Sequence, residues 1–154
     1  HLKLVLAGKP GVGWDKISPL IRRSRLAKGE TEGVPNVIFT NYIEDKEKQI
    51  LLKNCLCFVF PSLFEGFGLP LLEAMDANVP IIASQIPTSY EIAKNNALFF
   101  KPNDVQTLEN HLKTIAEQKE LWEHLTQNHA ETLKQYSWEK CAQETLKILS
   151  QNLD

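Results

Sequence analysis

Two carboxylates bracket a glycine-bearing turn in Phe64-Glu65-Gly66-Phe67-Gly68-Leu69-Pro70-Leu71-Leu72-Glu73. The apolar run Cys55-Leu56-Cys57-Phe58-Val59-Phe60 precedes them and is closed by Pro61-Ser62. This order reads as a buried strand, a glycine turn and a helix. Pro70 suits the first helical position, where a missing N–H costs nothing. The N–H groups near Gly68 and Leu69 then point at whatever sits before the helix, and the helix dipole favours an anion there. Gly66 and Gly68 are both expected to use positive φ and to let the backbone approach a ligand. Glu73 reads either as simple complement to the helix dipole or as an acceptor for a ribose diol. Glu65 lies before the helix, outside the reach of that dipole argument; beside the glycines, a hydroxyl-binding role is preferred to a solvated turn residue. A phosphate site flanked by two such carboxylates points to a sugar nucleotide.

Open α/β sheets bind ligands outside the carboxyl ends of their strands, and Pro61 to Gly68 occupies such an end. Five near-continuous apolar runs, Leu2 to Ala7, Val37 to Thr40, Leu56 to Phe60, Val79 to Ala83 and Leu98 to Phe100, read as parallel strands covered on both faces. Helical patterns fall between them, at about Asp15 to Lys28, Glu44 to Asn54, Leu69 to Ala77 and Ser89 to Lys94. The alternation implies β-α-β units in a doubly wound, Rossmann-like parallel sheet. Beyond Phe100 a helical tail is expected: one helix capped by Asn103 or Asp104 and running to Gln118, a stretch from Leu121 to Gln135, and a last helix capped by Ser137.

The 154 residues are expected to form a single domain, 1–154, and a chain of that size buries roughly 70% of its unfolded surface. A net charge of −2 speaks against nucleic-acid binding driven by bulk electrostatics. No apolar run reaches the roughly 20 residues that span a bilayer, and the strand-like opening shows no signal-peptide pattern. Cys55, Cys57 and Cys141 fit neither a disulfide framework nor a zinc site, which suggests a reducing, cytoplasmic compartment. The four histidines are scattered and no metal-ligand cluster stands out.

The motif Pro61-Ser62-x-x-Glu65-Gly66-Phe67-Gly68-Leu69-Pro70-x-x-Glu73-Ala74 resembles that of retaining GT-B glycosyltransferases of family 4, the glycosyl transferases group 1. That family carries two glutamates separated by seven residues, as here. Ala7-Gly8, Val37-x-Phe39-x-Asn41-Tyr42-Ile43, Pro80-Ile81-Ile82-Ala83-Ser84, Glu91-Ile92, Pro102-x-Asp104 and Ser137-Trp138 extend the likeness over nearly the whole chain. The resemblance implies the C-terminal, donor-binding half of a GT-B fold, with the N-terminal acceptor domain absent. It implies Glu73 on the ribose, Glu65 at the transferred sugar's hydroxyls near the reacting carbon, and the amides of Phe67, Gly68 and Leu69 on the diphosphate. It places Asn41, Tyr42 and Ile43 beside the nucleobase, with Ser62 and Gly8 also at the donor. It implies no metal cofactor, a UDP- or GDP-sugar donor, a hexose such as mannose as the transferred group, and a glycan or lipid-linked acceptor in polysaccharide biosynthesis. The complete enzyme would work in the cytoplasm, with peripheral association at the inner membrane face as an option, and the isolated domain would transfer little or no sugar. Trp138 would either pack against the absent domain or lie in the core.

The chain departs from the family pattern in two places. Asn78 replaces a usual glycine, and Thr88-Ser89 replaces a small or glycine-rich pair. The family's Arg and Lys upstream of the first strand have no match in Lys3 or Lys9. Gly8-Lys9-Pro10-Gly11-Val12-Gly13 is neither a P-loop nor a full Gly-x-Gly-x-x-Gly, and it reads as a flexible turn near the cleft. Arg22-Arg23-Ser24-Arg25 reads as a solvated helix face, with anionic lipid as a lesser option. Two other functions stay open: an NAD-binding oxidoreductase domain, whose fingerprint is incomplete, and a non-catalytic nucleotide-binding or interaction module of the same fold.

Overall fold

All five apolar runs become parallel strands in the computed structural model, which describes residues 2–19 and 36–151. The chain divides into two compact units, His1–Lys48 and Gln49–Asp154. Hydrogen bonding joins the strands in two parallel ladders, β1-β2 in the first unit and β3-β4-β5 in the second.

In the first unit β1 (Leu4–Ala7) pairs with β2 (Val37–Asn41), Leu4 opposite Val37 and Leu6 opposite Phe39. The register then shifts, so that Ala7 meets Asn41. Asn41 takes φ 61°, and its carbonyl accepts the Gly8 N–H at 2.9 Å. Helix α1 covers described residues 14–19, with the Trp14 ring 4.3 Å from that of Phe39. The remainder of the helix expected to reach Lys28, and all of Arg22-Arg23-Ser24-Arg25, lie outside the described residues. Helix α2 (Asp45–Asn54) contains the division between the units.

In the second unit β4 (Ile81–Ser84) lies between β3 (Phe58–Phe60) and β5 (Ala97–Phe100). Every residue of β4 is buried, as a central strand covered on both faces must be. Its side chains divide by parity. Ile81 and Ala83 pack with Leu71, Ala74 and Met75 of α3 (Leu69–Asp76) and Ile92 and Ala93 of α4 (Pro87–Ala93). Ile82 packs with Ile115 of α5 (Val105–Glu117) and Leu125 of α6 (Lys119–Thr126). Helices therefore cover both faces of this ladder, which is the doubly wound arrangement expected.

Element ends differ from the sequence reading for local reasons. The strand expected from Val79 starts at Ile81, because Pro80 has no N–H for a ladder and contributes only its carbonyl, which accepts from Phe58 N at 2.9 Å. The helix expected from Ser89 starts at Pro87, with extended Ile86 as its cap, since proline's fixed φ suits a first turn. The strands expected from Leu2 and Leu56 begin at Leu4 and Phe58. Asp104 caps α5 as expected, accepting from Thr107 N at 3.0 Å and from its hydroxyl at 2.7 Å. These bonds hold the Asp104 carboxyl below its usual range. The stretch Leu121 to Gln135 is interrupted, giving α6 and a short α7 (His129–Leu133) that starts where the Asn128 carbonyl accepts from Thr132 N. Ser137 Oγ accepts from Lys140 N at 3.0 Å and opens α8 (Trp138–Gln151). No residue of α8 is buried and Trp138 is 79% exposed, so it is not a core residue of this chain. Asn78, standing in for the family glycine, takes φ 56° at the end of α3, a left-handed conformation that asparagine tolerates.

Candidate functional site

The turn from Pro61 to Gly68 sits at the carboxyl end of β3 and opens α3. Gly68 is the helix cap, at φ 96° and ψ 38°, a conformation that side chains with a Cβ disfavour. Gly66 does not share it: its φ is not positive and an added Cβ would meet nothing within 4 Å. The expectation of two positive-φ glycines is corrected accordingly. One left-handed residue suffices to swing the chain into α3, and Gly66 serves the turn by smallness alone.

Pro70 falls in the first turn of α3 and has no N–H, while Leu71 N donates back to the Gly68 carbonyl at 2.9 Å. Among the described residues, the N–H groups of Phe67, Gly68 and Leu69 meet no backbone acceptor outside the helix, and no side chain caps α3. Unpaired N–H groups gathered at one helix end are what an anion binds. Phe67 packs edge-on against Tyr136, with ring centroids 5.9 Å apart, and is still 48% exposed.

Glu65 is half-buried beside this turn, its Oε1 accepting the Ser62 hydroxyl at 2.6 Å. Its backbone carbonyl accepts the Thr88 hydroxyl at 2.9 Å. Ser84, fully buried at the carboxyl end of β4, donates through Oγ to the Ser62 carbonyl. Glu73 is half-buried one turn into α3. Ser62, Glu65, Gly66, Phe67, Gly68, Leu69 and Glu73 thus belong to one strand–turn–helix segment of the second unit.

Gly8, Asn41, Tyr42 and Ile43 belong to the first unit, at the carboxyl ends of β1 and β2. Tyr42 is 67% exposed, with the Lys9 ammonium 5.3 Å from its ring centroid. Ile43 is half-buried. Cys55 and Cys57 are half-buried ahead of β3, and burial pushes the Cys57 thiol up to about 11, so it stays protonated and inert. Two residues that brace the turn from other elements, Thr88 of α4 and Ser84 of β4, escaped the sequence reading in that role. The signal that could have found Ser84 is a lone polar residue ending an apolar strand on the ligand edge.

A parallel α/β ladder with a glycine turn and two carboxylates at one strand end has the architecture of open α/β domains that bind ligands beyond their strand ends. The family model for glycosyl transferases group 1 matches residues 1–132, and the chain belongs to that family. It is 32% identical over 143 residues to the O-antigen chain mannosyltransferase B of Escherichia coli, covering 93% of this chain and 36% of that protein. The chain thus spans about a third of that relative's length. Among solved structures it is similar to HepE from Anabaena in complex with UDP-glucose, with TM-score 0.80, 22% identity, 97% of this chain and 41% of that one. It is also similar to the C-terminal domain of LpcC, a glycosyl transferase group 1 family protein from Francisella tularensis, with TM-score 0.71, 23% identity, 86% of this chain and 68% of that one. These likenesses establish the fold as that of the Rossmann-like half of a GT-B glycosyltransferase. No described helix is long and apolar enough to cross a membrane.

Proposed function

We propose that this chain is the donor-binding part of a retaining glycosyltransferase that moves a hexose from a nucleoside diphosphate sugar. The observation that carries the reading is the start of α3, where, among the described residues, the left-handed Gly68 leaves a row of amides without a partner between Glu65 and Glu73. The diphosphate lies on the amides of Phe67, Gly68 and Leu69. Glu73 accepts from the ribose hydroxyls and Glu65 from hydroxyls of the sugar. Stabilising the departing diphosphate is then the domain's chemical contribution, since preorganised donors aimed at developing charge are a large catalytic term. The single domain 1–154 does this without a metal ion, and an N-terminal domain of the same enzyme supplies the acceptor site and faces the exposed Trp138. Mannose is the proposed sugar, supported by the mannosyltransferase names of relatives, and a glycan or lipid-linked saccharide is the acceptor. The enzyme works in the cytoplasm, at the inner membrane face where its acceptor is lipid-linked.

Ligand-observed NMR with UDP, GDP, ADP and NAD tests the reading. One of UDP or GDP is expected to bind, and Glu73→Ala should weaken it roughly tenfold or more, the worth of hydrogen bonds to a charged group. Unchanged affinity in that variant would remove Glu73 from the ribose. Preferential NAD binding would replace the whole assignment with an oxidoreductase domain.

A further inference from the structure

Three hydroxyls from three segments converge on the Glu65 turn. Ser62 Oγ donates to Glu65 Oε1 at 2.6 Å, Thr88 Oγ1 donates to the Glu65 carbonyl at 2.9 Å, and Ser84 Oγ donates to the Ser62 carbonyl. A hydroxyl has one proton to donate, so each of the three is committed to this turn. Glu65 lies in neither strand nor helix, and no ladder or helical bond fixes its peptide. The bond from Thr88, in the first turn of α4, ties its main chain to the rest of the fold. Ser62 binds Oε1, and among the described residues no hydrogen bond to Oε2 is seen. Thr88 also lies beside the other end of the turn, its Cγ2 3.6 Å from where a Cβ on Gly68 would stand.

We infer that Thr88 is a positioning residue: its hydroxyl sets where the Glu65 carboxylate stands against the donor sugar, and its methyl backs the Gly68 turn. The inference rests on the donor-site reading above. It separates two functions within one side chain. Thr88→Val keeps the methyl and the volume but loses the O–H. Thr88→Ser keeps the O–H and loses the methyl.

Calorimetric titration of the 154-residue chain with UDP, UDP-glucose, GDP and GDP-mannose reads the two effects apart. The wild type should hold the matching nucleotide sugar more tightly than the bare diphosphate. Thr88→Val should lose about fivefold of that sugar-dependent gain, one hydrogen bond's worth, with diphosphate affinity within about twofold of wild type. Glu65→Gln should lose it too, and Thr88→Ser should retain it. In the unliganded chain the Glu65 carbonyl ¹³C resonance should move in Thr88→Val and stay in Thr88→Ser. Equal loss of diphosphate and sugar nucleotide in Thr88→Val overturns the inference, because the residue would then be merely structural. A full sugar-dependent gain in Thr88→Val beside its loss in Glu65→Gln overturns it as well and leaves the donor site standing. A wild-type chain that binds none of the four, or that holds sugar and diphosphate forms equally, overturns the inference together with the assignment of Glu65.

Discussion

Replacing Gly68 with alanine isolates the backbone geometry on which the candidate site depends. At φ 96° and ψ 38° a Cβ is disfavoured by about 1–2 kcal/mol. Contacts add little, because the new methyl would stand 3.4 Å from Leu71 Cδ1, 3.6 Å from Thr88 Cγ2 and 3.9 Å from Ile92 Cγ1, all ordinary van der Waals distances. Gly66 is the internal control: its φ is not positive and the space around it is open. Alanine there should be neutral or stabilising by about 0.4–1 kcal/mol, through lower entropy of the unfolded chain. The two variants should therefore differ by roughly 1–3 kcal/mol. Urea unfolding checks this, provided the slope m stays constant and only the midpoint moves. Thermal unfolding should separate them in the same sense, at about 2–4 °C for each kcal/mol. Equal costs at the two positions, or a Gly68→Ala chain as stable as wild type, would refute the claim that one left-handed residue turns the chain into α3.

Two further substitutions probe the framework behind the site. His129 is 1% exposed, and among the described residues neither ring nitrogen has a hydrogen-bond partner within bonding geometry, although backbone groups of Asn96 and Met75 lie near it. Burial holds its imidazole below the ordinary 6.5, the two backbone groups opposing that shift in part. The unfolded chain therefore takes up the proton first. This contribution to stability is fully present above 6.5 and is lost as pH falls toward the depressed folded value. Urea midpoints measured from pH 8 to pH 5 should fall in wild type and fall less in His129→Leu; parallel profiles would exclude His129 as the source. Ile82 is fully buried in the central strand, so Ile82→Ala should cost about 2–5 kcal/mol, readable as a lower urea midpoint.

Local chemistry explains what could be read without coordinates. Runs such as Val79 to Ala83 are apolar at successive positions, as a strand covered on both faces requires, and Ile81 and Ile82 do lie in cores on either side of one ladder. Asp104 and Ser137 were legible as caps because a short oxygen-bearing side chain before an amphipathic run satisfies amides within three residues of itself. Less legible were the ends of elements near proline and the break between α6 and α7, where small local preferences compete with packing. Of the candidate site, Glu65, Gly68 and Glu73 share one continuous segment and were readable from spacing. The different conformations of Gly66 and Gly68 were not, since both glycines permit either sign of φ.

By itself the sequence determined the parallel α/β class, the strand–turn–helix segment and its family, because these follow from periodicity, sterics and motif within about a dozen residues. Only the tertiary structure decided which groups meet that segment from afar. Thr88 reaches Glu65 across 23 positions and Ser84 reaches Ser62 across 22, bonds that depend on β4 lying beside β3 and α4 returning over the sheet. Burial, too, was decided there: His129 entered the core, while Trp138 stayed exposed. A side chain's burial is set by what the rest of the chain packs against it, and residue type alone does not carry that information.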